Sequence, residues 1–158
     1  MKKFALTLTL VALMLVSSAV ALAAKPPAKT FVAVLSTAEE VPGCAAATGA
    51  ARGNFVAHVV DEAAGTVDWK LVGNNLPGNI VAAHIHRAPT GAAGPVVQAL
   101  PPTPGEENGV VGRGTFTNAA LVAAMQANPD GFYVNVHTNL CPPGAIRGQL
   151  GDHGPGNN

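Results

Sequence analysis

Glycine and proline interrupt this chain so often that no element beyond its first 23 residues has room to run long. Of 158 residues, 18 are Gly and 13 are Pro. They gather in turn-forming clusters such as Val41-Pro42-Gly43, Gly73-Asn74-Asn75-Leu76-Pro77-Gly78, Pro101-Pro102-Thr103-Pro104-Gly105 and Asn128-Pro129-Asp130-Gly131. Proline removes a backbone donor and glycine costs conformational entropy inside regular structure, so each cluster ends whatever precedes it. The segments left between clusters alternate with a period of two. Thr66 to Val72 is the cleanest case, with Val67, Trp69 and Leu71 on one side and Thr66, Asp68 and Lys70 on the other, the pattern of a half-buried strand. Similar segments lie at 30–35, within 49–61, and at 80–86, 96–100, 110–116, 132–138 and 145–150. In the second of these the face of Phe55, Ala57 and Val59 reads as core. Only 118–127 has helical spacing, with Leu121, Ala124 and Met125 on one side and Thr117 placed as N-cap. About seven or eight short strands with one short helix predict an all-β fold, a Greek-key β-sandwich or barrel.

The first 23 residues have a different composition. Lys2 and Lys3 precede an apolar run from Phe4 to Leu22, and Ala21-Leu22-Ala23 supplies a small-x-small cleavage site, which together read as a secretory signal peptide. The expected organisation is therefore a leader at 1–23, a Pro- and Lys-bearing linker at 24–29, one domain at 30–151 and a disordered Gly- and Asn-rich tail at 152–158. The mature protein is expected to be exported, periplasmic or extracellular, with no membrane attachment after cleavage. Losing Lys2 and Lys3 leaves seven basic residues against nine acidic. The arginines at 52, 87, 113 and 147 are scattered singly, which is no surface for a nucleic acid. Cys44 and Cys141 are the only cysteines. An even count in an exported chain predicts a disulfide, and a loop of that length is worth about 4–5 kcal/mol in the chain-entropy model.

The residues with most chemistry are histidines. In Ala83-His84-Ile85-His86-Arg87, an extended backbone puts His84 and His86 on one face. In Tyr133-Val134-Asn135-Val136-His137-Thr138, Asn135 and His137 likewise share a face. If the two strands are neighbours, three rings converge with Asn135 and Arg147 beside them, and neutral imidazoles at this spacing suit copper or zinc. The residues leave a second reading open, in which the rings hydrogen-bond to backbone, Asn135 or Arg147 and hold loops without a metal. Arg87, Arg147 and a fourth ring, His58, are candidates to support the site. His153 is read as a bystander.

Several stretches together resemble the CHRD domain, a module named for chordin and also found in exported bacterial proteins. They are Phe31-Val32-Ala33-Val34-Leu35-Ser36 with Glu40-Val41-Pro42; Ala83-His84-Ile85-His86 with Gly91, Gly94, Pro95 and Val96; Tyr133 to Thr138; and Pro143-Gly144-Ala145-Ile146-Arg147-Gly148-Gln149-Leu150. Ala145 stands where that pattern often has an acid, so a salt bridge from that position is not expected. The resemblance implies a β fold and no defined activity. It points to a non-catalytic binding or structural module whose extracytoplasmic partner or ligand is unidentified. A looser, fold-level similarity to copper/zinc superoxide dismutases, which also carry His-x-His on a strand, implies the alternative of a copper-dependent redox protein. Hydrolase chemistry is poorly supported: Ser36 is the only serine beyond the leader, and no carboxylate stands near the histidines in sequence to act as a base.

Overall fold

The structure is a computed structural model that describes residues 27–103 and 109–152. The leader with its cleavage site, the first half of the linker, and His153 with the end of the tail lie outside the described residues. The strands are β1 (Thr30–Ser36), β2 (Arg52–Asp61), β3 (Thr66–Asn74), β4 (Ile80–Arg87), β5 (Val96–Ala99), β6 (Gly109–Thr117), β7 (Phe132–Thr138), β8 (Ile146–Gln149) and the two-residue β9 (Gly151–Asp152), with one α-helix, α1 (Ala119–Ala127). The all-β expectation holds, and the helix is where its spacing placed it. Its N-cap, however, is Asn118, whose side chain accepts from the Leu121 amide, one residue later than Thr117. Beyond β8, Gly151 and Asp152 pair with Val32 and Phe31.

All nine strands join one antiparallel sheet in the order β5-β4-β7-β8-β1-β2-β3-β6, with β9 added on β1. The sheet is curled. Its two edge strands approach each other across a cavity of about 290 Å³ lined by Gln98, Ala99 and Pro101 on one side and Arg113 to Phe116 on the other. The longer strands turn one apolar set to the inside of the curl. Phe31, Ala33 and Leu35 of β1, Phe55 and Ala57 of β2, Val67, Trp69 and Leu71 of β3, Ala83 and Ile85 of β4, and Val134 and Val136 of β7 are all buried there. Leu121, Val122 and Met125 of α1 belong to the same core.

Register settles which residues meet on the outer face. β7 lies between β4 and β8. His84 faces Asn135, His86 faces Tyr133, Asn135 faces Arg147 and Tyr133 faces Gln149. Directly opposed residues point to the same side with Cβ atoms about 5 Å apart, so three strands contribute to one outer surface. Two segments cover that surface. One is the loop 88–95 between β4 and β5; the other is formed by 40–44 and 141–144, which the Cys44–Cys141 disulfide joins across 97 residues of sequence.

Candidate metal centre

His84 and His86 reach the outer face because Ala83 and Ile85 between them are drawn into the core, and His137 reaches it because Val136 is. The ring centroids are 5.6 Å apart for His84 and His86, 4.9 Å for His84 and His137, and 5.7 Å for His86 and His137. One ligand atom from each ring lies within 4.8 Å of the other two. Three points that close share a centre no more than about 2.8 Å from each, so small side-chain shifts bring all three nitrogens to the 2.0–2.1 Å of a zinc–nitrogen bond.

Each ring is held by its surroundings. His86 places Nδ1 2.9 Å from the Gly94 carbonyl, and His137 places Nδ1 2.9 Å from the Pro142 carbonyl. A carbonyl only accepts, so both Nδ1 atoms carry the proton and each neutral ring presents a lone pair at Nε2. Those two Nε2 atoms, and Nδ1 of His84, are buried without a hydrogen-bond partner. His86 is also stacked on Tyr133, with ring centroids 4.8 Å apart and planes 9° from parallel. The Arg147 guanidinium sits 3.5 Å from the centroid of the same tyrosine. Burial lowers the pKa of all three histidines. For His84 the neighbouring rings add to the effect, and for His137 the bond to Pro142 opposes it. The rings are therefore neutral at pH 7, the state in which imidazole binds a metal.

Arg147 is fully buried, and it donates to the carbonyls of Ala92 and Pro89 and to Gln149 Oε1. Gln149 donates in turn to the Ala88 and Asp130 carbonyls, and the Gly94 amide donates to the Tyr133 hydroxyl. These bonds fasten loop 88–95 over the outer face and so fix the carbonyl that orients His86. Among the described residues Arg147 makes no carboxylate contact, in keeping with an alanine at position 145. A CHRD domain family model matches residues 31–150. The chain belongs to the CHRD domain family. No curated protein and no solved structure matches it.

Of the residues that sequence reasoning placed together here, the structure gathers His84, His86, His137, Asn135 and Arg147, and it leaves two elsewhere. His58 lies on the outer face of β2, opposite Asp68, with its ring nitrogen 3.0 Å from Thr30 Oγ1; β1 and β8 stand between β2 and β7. Arg87 turns away and lies 5.6 Å above the Phe132 ring, because it is one residue out of phase with His84 and His86. The disulfide between Cys44 and Cys141 is present.

One residue of this region escaped sequence reasoning. Glu40 is buried, accepts from Asn135 Nδ2 and stands beside Gly144, whose φ is +151°. A Cβ at Gly144 would strike both the Glu40 carboxylate and the Asn135 amide, so only glycine leaves room for the pair. Burial pushes the Glu40 pKa up to about 7, against the hydrogen bond from Asn135 and the charge of Arg147, which lower it. No local pattern links residues 95 apart; the one sequence signal was Glu40-Val41-Pro42 among the stretches of family likeness.

Proposed function

We propose that this CHRD protein is an exported, non-catalytic module that binds one transition-metal ion, zinc or copper, through His84, His86 and His137. One observation carries the reading. Three ring nitrogens on two neighbouring strands are buried, close together and without partners, whereas buried polar atoms are ordinarily hydrogen-bonded. A purely structural network would have used those atoms. It uses only the Nδ1 atoms of His86 and His137 and leaves the others aimed at one another. Three nitrogens with a fourth position open is a usual set for zinc and copper, and the soft donors are unavailable because both cysteines are spent in the disulfide.

The reading of the leader and the presence of a disulfide in a chain with no other cysteine support an oxidising compartment. The non-catalytic part rests on cover: the rings lie beneath two loops, and the cavities of 240–300 Å³ described on the surface are lined by other residues. Metal would tie β4 to β7 and hold the covering loops down. At a free concentration a thousand times its Kd it would stabilise the fold by about 4 kcal/mol. The test is the metal content of the untagged exported protein, together with thermal unfolding in the presence and absence of a chelator. One equivalent of zinc or copper and a melting temperature that falls on chelation are expected. Correctly folded protein that neither carries nor takes up either metal would overturn the proposal.

A further inference from the structure

Among the described residues, five buried side-chain nitrogen and oxygen atoms lack a partner, and all five lie in this one region: Nδ1 of His84, Nε2 of His86, Nε2 of His137, Oδ1 of Asn135 and Oε1 of Glu40. A metal ion held by the three rings would account for their nitrogens. The two oxygens are not. Asn135 is 4% exposed and Glu40 7%, so neither is left to bulk water.

Their arrangement is specific. Asn135 stands directly across from His84 and two residues before His137 on the same face of β7. Its Nδ2 is committed to acceptors, Glu40 Oε2 at 3.3 Å and the Pro143 carbonyl at 3.4 Å. That fixes which end of the amide is oxygen and turns Oδ1 away from both. Ionised Glu40 needs a donor at Oε1, and neutral Glu40 needs a partner for its proton; in either state that atom is one partner short. The protein supplies nothing for either oxygen.

Resting on the metal-binding reading above, we infer that the fourth coordination position holds a hydrogen-bond-donating ligand, water in the resting site, and that Asn135 Oδ1 and Glu40 Oε1 accept from it. Three histidines leave a zinc or copper ion one position short of four, and a bound water offers two protons to the two orphaned acceptors. Glu40 has a second, positioning role, because by accepting from Nδ2 it orients the amide. The site thereby selects the chemistry of its exogenous ligand. Water and other ligands that keep a proton to give are favoured, and small anions that only accept, such as azide, are disfavoured by two facing oxygens.

The experiment uses the exported protein loaded with Co(II), whose absorption spectrum reports ligand exchange, and titrates it with sodium azide well above pH 7, where Glu40 is ionised and can only accept. Wild type should bind azide weakly. Glu40→Gln is isosteric and offers an N–H in place of an acceptor, so once loaded with Co(II) it should bind azide at least tenfold more tightly than wild type. Equal azide affinity in the two Co(II)-loaded proteins would overturn the inference and leave the three-histidine site standing. A second measurement needs no variant. Cu(II)-loaded wild type transferred to D₂O should show exchangeable deuterons in the copper shell by pulsed electron resonance, and their absence would overturn it equally. Folded wild type that takes up neither Co(II) nor Cu(II) would refute the metal reading itself, a result distinct from all of these.

Discussion

The outer face of the sheet is divided into two regions with the same backbone geometry. On β1, β2 and β3 the outward positions carry Val34, Val56, His58 and Lys70, and Val34 is 71% exposed. On β4, β7 and β8 they carry His84, His86, Tyr133, Asn135, His137, Arg147 and Gln149, under the loops 88–95 and 40–44 with 141–144. A polar group in the open region is satisfied by water. In the covered region it must be satisfied by protein or by a ligand, since an unmatched buried polar atom costs roughly 1–3 kcal/mol. His58 and His86 sit at equivalent phases of two strands, yet only His86 belongs to a site, and cover makes the difference.

The comparison can be broken most forcefully at Arg147. Arg147→Ala removes the stack on Tyr133 and leaves the Pro89 and Ala92 carbonyls without donors, for a loss of roughly 3–5 kcal/mol. Lys70→Ala in the open region should stay within about 0.5 kcal/mol of wild type. Urea unfolding of the metal-free proteins measures both, and similar losses would erase the distinction. Next is metal affinity. His137→Ala should weaken zinc or copper binding by at least about 100-fold, the upper range for losing merely an outer-sphere partner of a ligand, and His58→Ala should leave it unchanged by calorimetric titration.

A smaller effect separates the titrating groups of the covered region by sign. The Glu40 pKa is raised to about 7 from 4.5, so the folded metal-free protein holds that proton more tightly than the unfolded chain. The corresponding stability is present below pH 4.5 and is lost as pH rises through 7. Glu40→Gln should therefore match wild type in acid and exceed it above neutrality by on the order of 2 kcal/mol. The three histidines act oppositely. Their folded pKa values lie below the ordinary 6.5, so their contribution is present above pH 6.5 and lost as pH falls below it. His84→Gln should flatten that acid limb in chemical unfolding measured across pH. The smallest effect belongs to the open region, where Val34→Thr should shift stability by less than about 0.5 kcal/mol.

Much of the site could be read from local pattern. His84 and His86 share a face, as do Asn135 and His137, because alternation is a property of any extended backbone and survives whatever the sheet does with it. The same logic separates Arg87 from the pair, since it follows His86 by a single residue. Its removal from the site is a matter of phase and could have been anticipated. His58 could not be excluded in that way, because nothing in its own segment says which strand lies beside β2. Glu40 was hidden for the same reason: its partner Asn135 is 95 residues away, and the pair meets only because β8 lies between β1 and β7 and a disulfide holds the adjoining loops together.

By itself the sequence determined the period-two alternation, the breaks that keep the strands short, the helix near residues 119–127, the cysteine pair and the paired faces of the histidine strands. These follow from φ/ψ restriction, from the missing donor of proline and from side-chain direction, all of which act over a few residues. Tertiary structure alone decided that the strands form one curled sheet, that β4, β7 and β8 are neighbours, and that one half of the outer face is covered while the other stays open. Cover depends on contacts such as Arg147 to Ala92 and Asn135 to Glu40, separated by 55 and 95 residues. Burial, which turns a histidine or a glutamate from a solvated side chain into a group that needs a partner, is a property of that assembled surface and of no segment within it.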